Sequence, residues 1–184
     1  KKGSDTELIK KSYENFPLWS SIYLKEFMPH LASIYHFCRT VDNLSDLKKD
    51  LALKELSKIE NTLNNCYEDK LDEKSIFFNL KITISKFNLP KEDFQKLIQS
   101  NYQDLNKNRY KDFDELIDYC KLSANPVGSL VLRIFGEYSN TNLLLSDQIC
   151  TGLQLINFLQ DINRDSKLNR IYIPVDELSK FGVS

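Results

Sequence analysis

Apolar residues recur at three- and four-residue intervals along most of the chain. HLASIYHFCRTVDNLSDL, LKKDLALKELSKIENTLNNCYE and DQICTGLQLINFLQDINRDS each carry the spacing of one helical face. Boundary signals agree with that period. Pro29 suits the first turn of the first of these segments, and Pro90 opens KEDFQKLIQSNYQDLNKN. Asp112 and Glu115 read as a capping box ahead of DELIDYCKLSANPVGSLVLRIFG. Pro126 and Gly128 lie inside that segment and predict a kink. Ser146 is the expected cap of the last long helix, which runs out into the loop KLNRIYIP. KSIFFNLKITISKF fits a helix, although its β-branched residues also allow a strand. Only five Gly and five Pro interrupt the chain, as long helices require. The predicted class is an all-α bundle, with residues 1–184 as one domain and no internal repeat or linker.

Two of the predicted helices carry the same polar stripe. At about 100° per residue, Gln154, Asn157, Asp161 and Asp165 fall within roughly 80° of one another. Tyr35, Arg39, Asp42 and Asp46 fall within roughly 60° by the same geometry. Each stripe therefore carries two carboxylates four residues apart, on helices apolar over most of their circumference. Both helices are expected to be largely buried. An isolated Asp-x-x-x-Asp pair on a charged helix is usually solvated surface. Two buried pairs need counter-charge, because an unpaired buried carboxylate neutralises instead. Arg39 alone cannot supply it. A hard divalent cation such as Mg²⁺ can, through carboxylates, water and phosphate oxygens. The combination describes a pocket that holds a polyphosphate through bridging metals, with apolar walls for a greasy tail.

Composition narrows the classes. Of 184 residues, 41% are hydrophobic and 28% charged, so a sizeable core is expected. The net charge of −1 offers no basic field for nucleic acid. No apolar run reaches the roughly 18 residues of a membrane span, and KKGSDTELIKK lacks a signal-peptide core. Cys38, Cys66, Cys120 and Cys150 lie far apart in apolar-periodic segments and read as reduced, packed thiols of a cytoplasmic protein. His30 and His36 are the only histidines and are expected to serve packing or the surface.

Particular segments resemble a known family. IYHFCRTVDNLSD resembles the first aspartate motif of the squalene/phytoene synthases, and GLQLINFLQDINRDSKLNRIYIP resembles their second. The resemblance runs from about Asn15 to the C-terminus. It implies the all-α isoprenoid synthase fold, a helical bundle around a central apolar pocket. It implies that Asp42, Asp46, Asp161 and Asp165 bind Mg²⁺ bridged to a diphosphate. It also implies that Tyr35, Arg39, Gln154, Asn157, Arg170 and Tyr172 line the diphosphate end. Family members are substantially longer, so the resemblance implies a domain whose C-terminal helices are not included.

Within the family, ENFPLWSS, QDLNKNRY and DYCKLSANPVG are most similar to the hydroxysqualene synthases of bacterial hopanoid biosynthesis. That branch implies a Mg²⁺-dependent reaction releasing diphosphate from presqualene diphosphate and adding water to give hydroxysqualene. Squalene synthases carry a tyrosine three residues after the Tyr-Cys start of this last motif, where Leu122 stands here. The departure weighs against joining two farnesyl diphosphates. Asn43 also replaces the second residue of the commoner Asp-Asp start, but points about 100° off the stripe. The runner-up is a squalene or phytoene synthase condensing two prenyl diphosphates head to head. From a different class, a non-catalytic prenyl-binding or assembly protein would keep the fold without needing four aspartates. The implied partner is a prenyl diphosphate, either presqualene or farnesyl diphosphate. Contact with other hopanoid-pathway enzymes and with the inner face of the membrane are further expectations of so apolar a substrate.

Overall fold

A computed structural model describes residues 25–44 and 47–183. Its described residues form helices and connecting turns, with one isolated bridge between Arg109 and Ile171. The helices are α1 (Met28–Asp42), α2 (Lys49–Tyr67), α3 (Phe78–Phe87), α4 (Lys91–Asp104), α5 (Phe113–Ser123), α6 (Asn125–Ile134), α7 (Asn140–Gln160), α8 (Ile162–Lys167) and α9 (Val175–Lys180).

Local chemistry explains most boundaries. Pro29 sits in the first turn of α1, where its missing N–H costs nothing. Pro90, extended, precedes α4, whose first turn carries Glu92 and Asp93 against the positive end of the helix dipole. The Asp112 carboxylate accepts from the Glu115 N–H at 3.0 Å and starts α5. The return bond differs from a strict capping box, because the Glu115 carboxylate accepts from the Lys111 N–H instead. In α3 the strand alternative is not realised. Leu80, Thr83 and Ile84 are buried together, and only a helix puts that spacing on one face.

Two expected details are corrected. The long segment through DELIDYCKLSANPVGSLVLRIFG does not merely kink. It separates into α5 and α6 at Ala124, two residues ahead of Pro126. A proline inside a helix removes one hydrogen bond and its ring clashes with the carbonyl one turn back, which ends α5 there. The last long helix starts earlier than expected. Ser139, not Ser146, caps α7 by accepting from the Asn142 N–H at 3.1 Å. Ser146 instead lies inside α7 against Gly128. A Cβ at position 128 would meet Ser146 Oγ and come within 2.7 Å of Cys150 Sγ, so the missing side chain lets α6 and α7 approach closely.

The main core joins α1, α2, α3, α4 and α6. Phe37, with no exposed surface, packs between Phe77 at 5.4 Å and Phe94 at 5.1 Å. The Ser129 hydroxyl donates to buried Asp93 at 2.7 Å and so ties α6 to α4. His30 bonds Thr83 at 2.9 Å and His36 packs edge-on to Phe77, both in packing roles. All four cysteines are free thiols, and burial pushes those of Cys66 and Cys120 up to about 11.

The helix α7 departs most from expectation. It is not largely buried: only Phe158 is, while Leu144, Ile149 and Leu159 are 66%, 62% and 61% exposed. One face packs on α6 and α5. Much of the remaining apolar surface of α7 is left exposed among the described residues. The sequence periodicity reported apolarity correctly, but apolarity implies burial only where a second surface exists to cover it.

Candidate functional site

The helix α1 presents Tyr35 and Arg39, both half-buried, and ends at Asp42, which is exposed. Phe37 and Val41 on its other side are fully buried and fix its rotation. Because α1 stops at Asp42, helical phase no longer carries the stripe to Asp46, which lies outside the described residues. Asp42 accepts a long 3.5 Å hydrogen bond from the Asn101 side chain on α4. Asn101 is itself buried and also donates to the Leu97 carbonyl at 3.1 Å.

The second stripe crosses a helix break. Gln154 and Asn157 belong to α7, Asp161 is the junction residue, and Asp165 lies in α8. The Asp161 N–H donates to the Asn157 carbonyl and the Asp165 N–H to the Asp161 carbonyl, both at 2.9 Å. These four-residue bonds carry the helical phase through the junction, so the stripe survives. Asp161 and Asn157 are exposed, whereas the Asp165 side chain is only 13% exposed.

After α8 the chain turns through Asn169, whose φ of 59° is left-handed, a conformation asparagine tolerates better than most residues. The turn returns the Arg170 N–H to the Asp165 carbonyl at 2.8 Å and sets the guanidinium 3.8 Å from the Asp165 carboxylate. The next residues run beside the loop after α4. The Ile171 N–H donates to Asn108 at 3.0 Å, the Val175 N–H to Tyr110 at 2.9 Å, and the Arg109 guanidinium to the Asn169 carbonyl at 3.1 Å. Tyr172 is thereby delivered into an aromatic cluster. It stacks on Phe158 at 4.2 Å and on Tyr110 at 5.6 Å, with Tyr119 tilted against it.

At the centre of this cluster is Asp104, the last residue of α4. Its carboxylate accepts from the Tyr119 hydroxyl at 2.6 Å and the Tyr172 hydroxyl at 3.1 Å. Burial pushes its pKa up to about 6, against the lowering effect of both tyrosines and of Arg170, with Asp42 adding to the rise. Burial first, and then the Asp104 charge, holds Tyr119 and Tyr172 well above the ordinary tyrosine range, so both stay protonated donors. Asp104 thus feels Asp42 of the first stripe and Arg170 of the second segment at once. The sequence reading did not single it out. In QDLNKN it has the look of a solvated helix end, and only its pairing with a tyrosine 68 residues away distinguishes it.

Among the described residues no three His, Cys, Asp or Glu side chains gather closely enough to hold a metal by themselves. No described helix is long and apolar enough to cross a membrane.

Comparison with known proteins turns the geometry into a classification. The sequence profile described as squalene/phytoene synthase matches residues 9–184. The chain belongs to the squalene/phytoene synthase family. It is 35% identical over 173 residues to a hydroxysqualene synthase of Rhodopseudomonas palustris, covering 92% of this chain and 58% of that protein. It is 30% identical over 178 residues to a phytoene synthase of Mycobacterium tuberculosis, covering 96% and 58%. The chain therefore spans little more than half the length of these relatives. Two solved structures share its isoprenoid synthase fold. Squalene synthase HpnC from Alicyclobacillus acidocaldarius superposes with a TM-score of 0.85 at 39% identity, covering 98% of this chain and 70% of that one. A dehydrosqualene synthase solved with a ligand superposes with a TM-score of 0.83 at 24% identity, covering 98% and 63%. The fold expected from the two aspartate segments of this family member is the fold found.

Proposed function

We propose that the protein processes a prenyl diphosphate, converting presqualene diphosphate and water to hydroxysqualene and diphosphate. The observation that carries the reading is that α4 bonds both segments, Asn101 to Asp42 and Asp104 to Tyr172, in a chain 35% identical to hydroxysqualene synthases. Burial of all four aspartates is not part of the support, since Asp42 and Asp161 are exposed. Leu122, half-buried, supplies no hydroxyl for the carbon–carbon-forming step, which favours this branch over a head-to-head condensation.

The donor set suits Mg²⁺. Asp42, Asp161 and Asp165 are hard oxygen donors, and Mg²⁺ commonly takes one or two carboxylates with substrate phosphates and water completing its shell. A site without three clustered protein ligands is compatible with that habit. Asp42, Asp46, Asp161 and Asp165 would hold the metal, and when bound it would neutralise charge on the departing diphosphate. Arg39 and Arg170 would donate charge-assisted hydrogen bonds to the diphosphate oxygens. Gln154 and Asn157 would add neutral donors and Tyr35 a hydroxyl, while Tyr172, whose single O–H is already given to Asp104, would line the diphosphate end without donating to it. In the reaction the carbon–oxygen bond to diphosphate breaks. The oxygen of water bonds to the rearranged carbocation, and its proton leaves to the released diphosphate or solvent. The apolar pocket that the family resemblance implies would keep other water away from the cation.

Turnover of presqualene diphosphate with Mg²⁺, with products identified, tests the reading. Hydroxysqualene is the expected product, and Asp161→Ala should abolish Mg²⁺-dependent diphosphate release while leaving the circular dichroism spectrum helical. Full turnover in that variant rejects the metal assignment. Efficient squalene or phytoene formation from a prenyl diphosphate alone would instead establish the head-to-head reading, which the phytoene synthase relatives favour.

A further inference from the structure

One carboxylate bonded to the segment after the second aspartate motif belongs to neither motif. Asp104 ends α4, where the helix dipole disfavours a negative charge, and its carboxylate is enclosed by two tyrosines. A helix end would more cheaply carry a neutral or basic residue. What the aspartate gains there is reach. Asn101, one turn earlier on the same face, contacts Asp42. Tyr172, which donates to Asp104, stacks on Phe158, the neighbour of Asn157 on α7. Arg170 lies two residues before Tyr172, and the intervening Ile171 is paired with Arg109 in a parallel bridge. In such an extended stretch residues i and i+2 face the same side, which accounts for Arg170 acting on Asp104.

We infer that Asp104 is a positioning residue: by holding the Tyr172 and Tyr119 hydroxyls it sets Arg170 and Tyr172 at the height of Asp42, so that one diphosphate can span both segments. The inference rests on the diphosphate reading above and names the group that aligns its two halves. Asp104 need not touch the ligand. Its effect passes through Tyr172 and the chain that carries Arg170, as outer partners of a binding site commonly act.

The test is calorimetric titration of the protein with inorganic pyrophosphate in Mg²⁺ buffer, for wild type, Asp104→Asn, Tyr172→Phe and the double variant. Urea midpoints are measured in parallel. Wild type should bind, and each single variant should bind about 10- to 100-fold more weakly. The double variant should bind no more weakly than the worse single, because both changes break one linkage. Unchanged affinity in Asp104→Asn with a shifted urea midpoint would show a purely structural role and overturn the inference. So would single effects that multiply in the double variant. If Asp104→Asn does not fold, Tyr172→Phe and Tyr119→Phe, each lacking one oxygen, carry the test with the same expected losses. A wild-type protein that fails to bind pyrophosphate rejects the diphosphate reading itself, an outcome the wild-type curve alone identifies.

Discussion

Replacing Asp104 by Asn should change how stability depends on pH. The carboxyl titrates near 6 in the folded protein, chiefly because it is buried, against about 3.9 in an unfolded chain. A raised folded-state pKa means that the folded protein binds this proton more tightly than the unfolded one. The contribution is therefore complete below about pH 3.9 and is lost as pH rises through about 6. A displacement of about two pH units corresponds to about 3 kcal/mol, an order-of-magnitude figure. Asparagine keeps the shape and one acceptor oxygen but cannot ionise. Urea unfolding of both proteins at pH 4, 5, 6 and 7 gives the difference directly. Wild type should lose about 2 kcal/mol relative to Asp104→Asn across that range, most of it between pH 4 and 6, the unfolded carboxyl being already half ionised at pH 4. Parallel stability curves would refute the reasoning, since they would mean that the carboxyl is solvated in the folded state. A difference of opposite sign would mean that Arg170 and the tyrosines outweigh burial.

Two further outcomes follow from packing. Gly128→Ala should destabilise the protein by about 1 kcal/mol, the overpacking against Ser146 and Cys150 exceeding the gain in helix propensity. Adding Ser146→Ala should recover much of the loss in urea midpoint, whereas a Gly128→Ala protein more stable than wild type would mean that α6 and α7 are not so close. Leu144→Gln, Ile149→Gln and Leu159→Gln together should reduce binding of a fluorescent dye for apolar surface with little change in helix content, because these side chains are more than half exposed. Loss of the fold in that triple variant would show that the face is covered.

The fold class was legible because three physical signals coincide along the chain: helical periodicity, sparse Gly and Pro, and caps such as Asp112. Boundaries were less so. Ser139 and Ser146 are both competent caps, and only the packing of Ser146 against Gly128 decides between them. Phase along a helix is a local property, and in the second segment four-residue bonds continue it across the break at Asp161, whereas in the first α1 ends at Asp42 and Asp46 lies outside the described residues. The exposure of α7 was not, since burial depends on what lies opposite. Asp104 was hidden for a related reason. Its partners are α5 and the loop after α8, and no spacing within QDLNKN encodes them.

The left-handed turn at Asn169 separates two kinds of connection along three residues of chain. The Arg170 amide is held by Asp165, five positions back, and that bond can form as soon as α8 does. The adjacent Ile171 amide is held by Asn108, across the whole of α5, α6, α7 and α8. Closing the first loop orders a handful of residues, whereas closing the second must await the assembled helices. Hydrogen exchange should therefore find these neighbouring amides opening at different free energies. Arg170 would report the fraying of one short helix, and Ile171 the undocking of the whole arginine–tyrosine strand from the bundle.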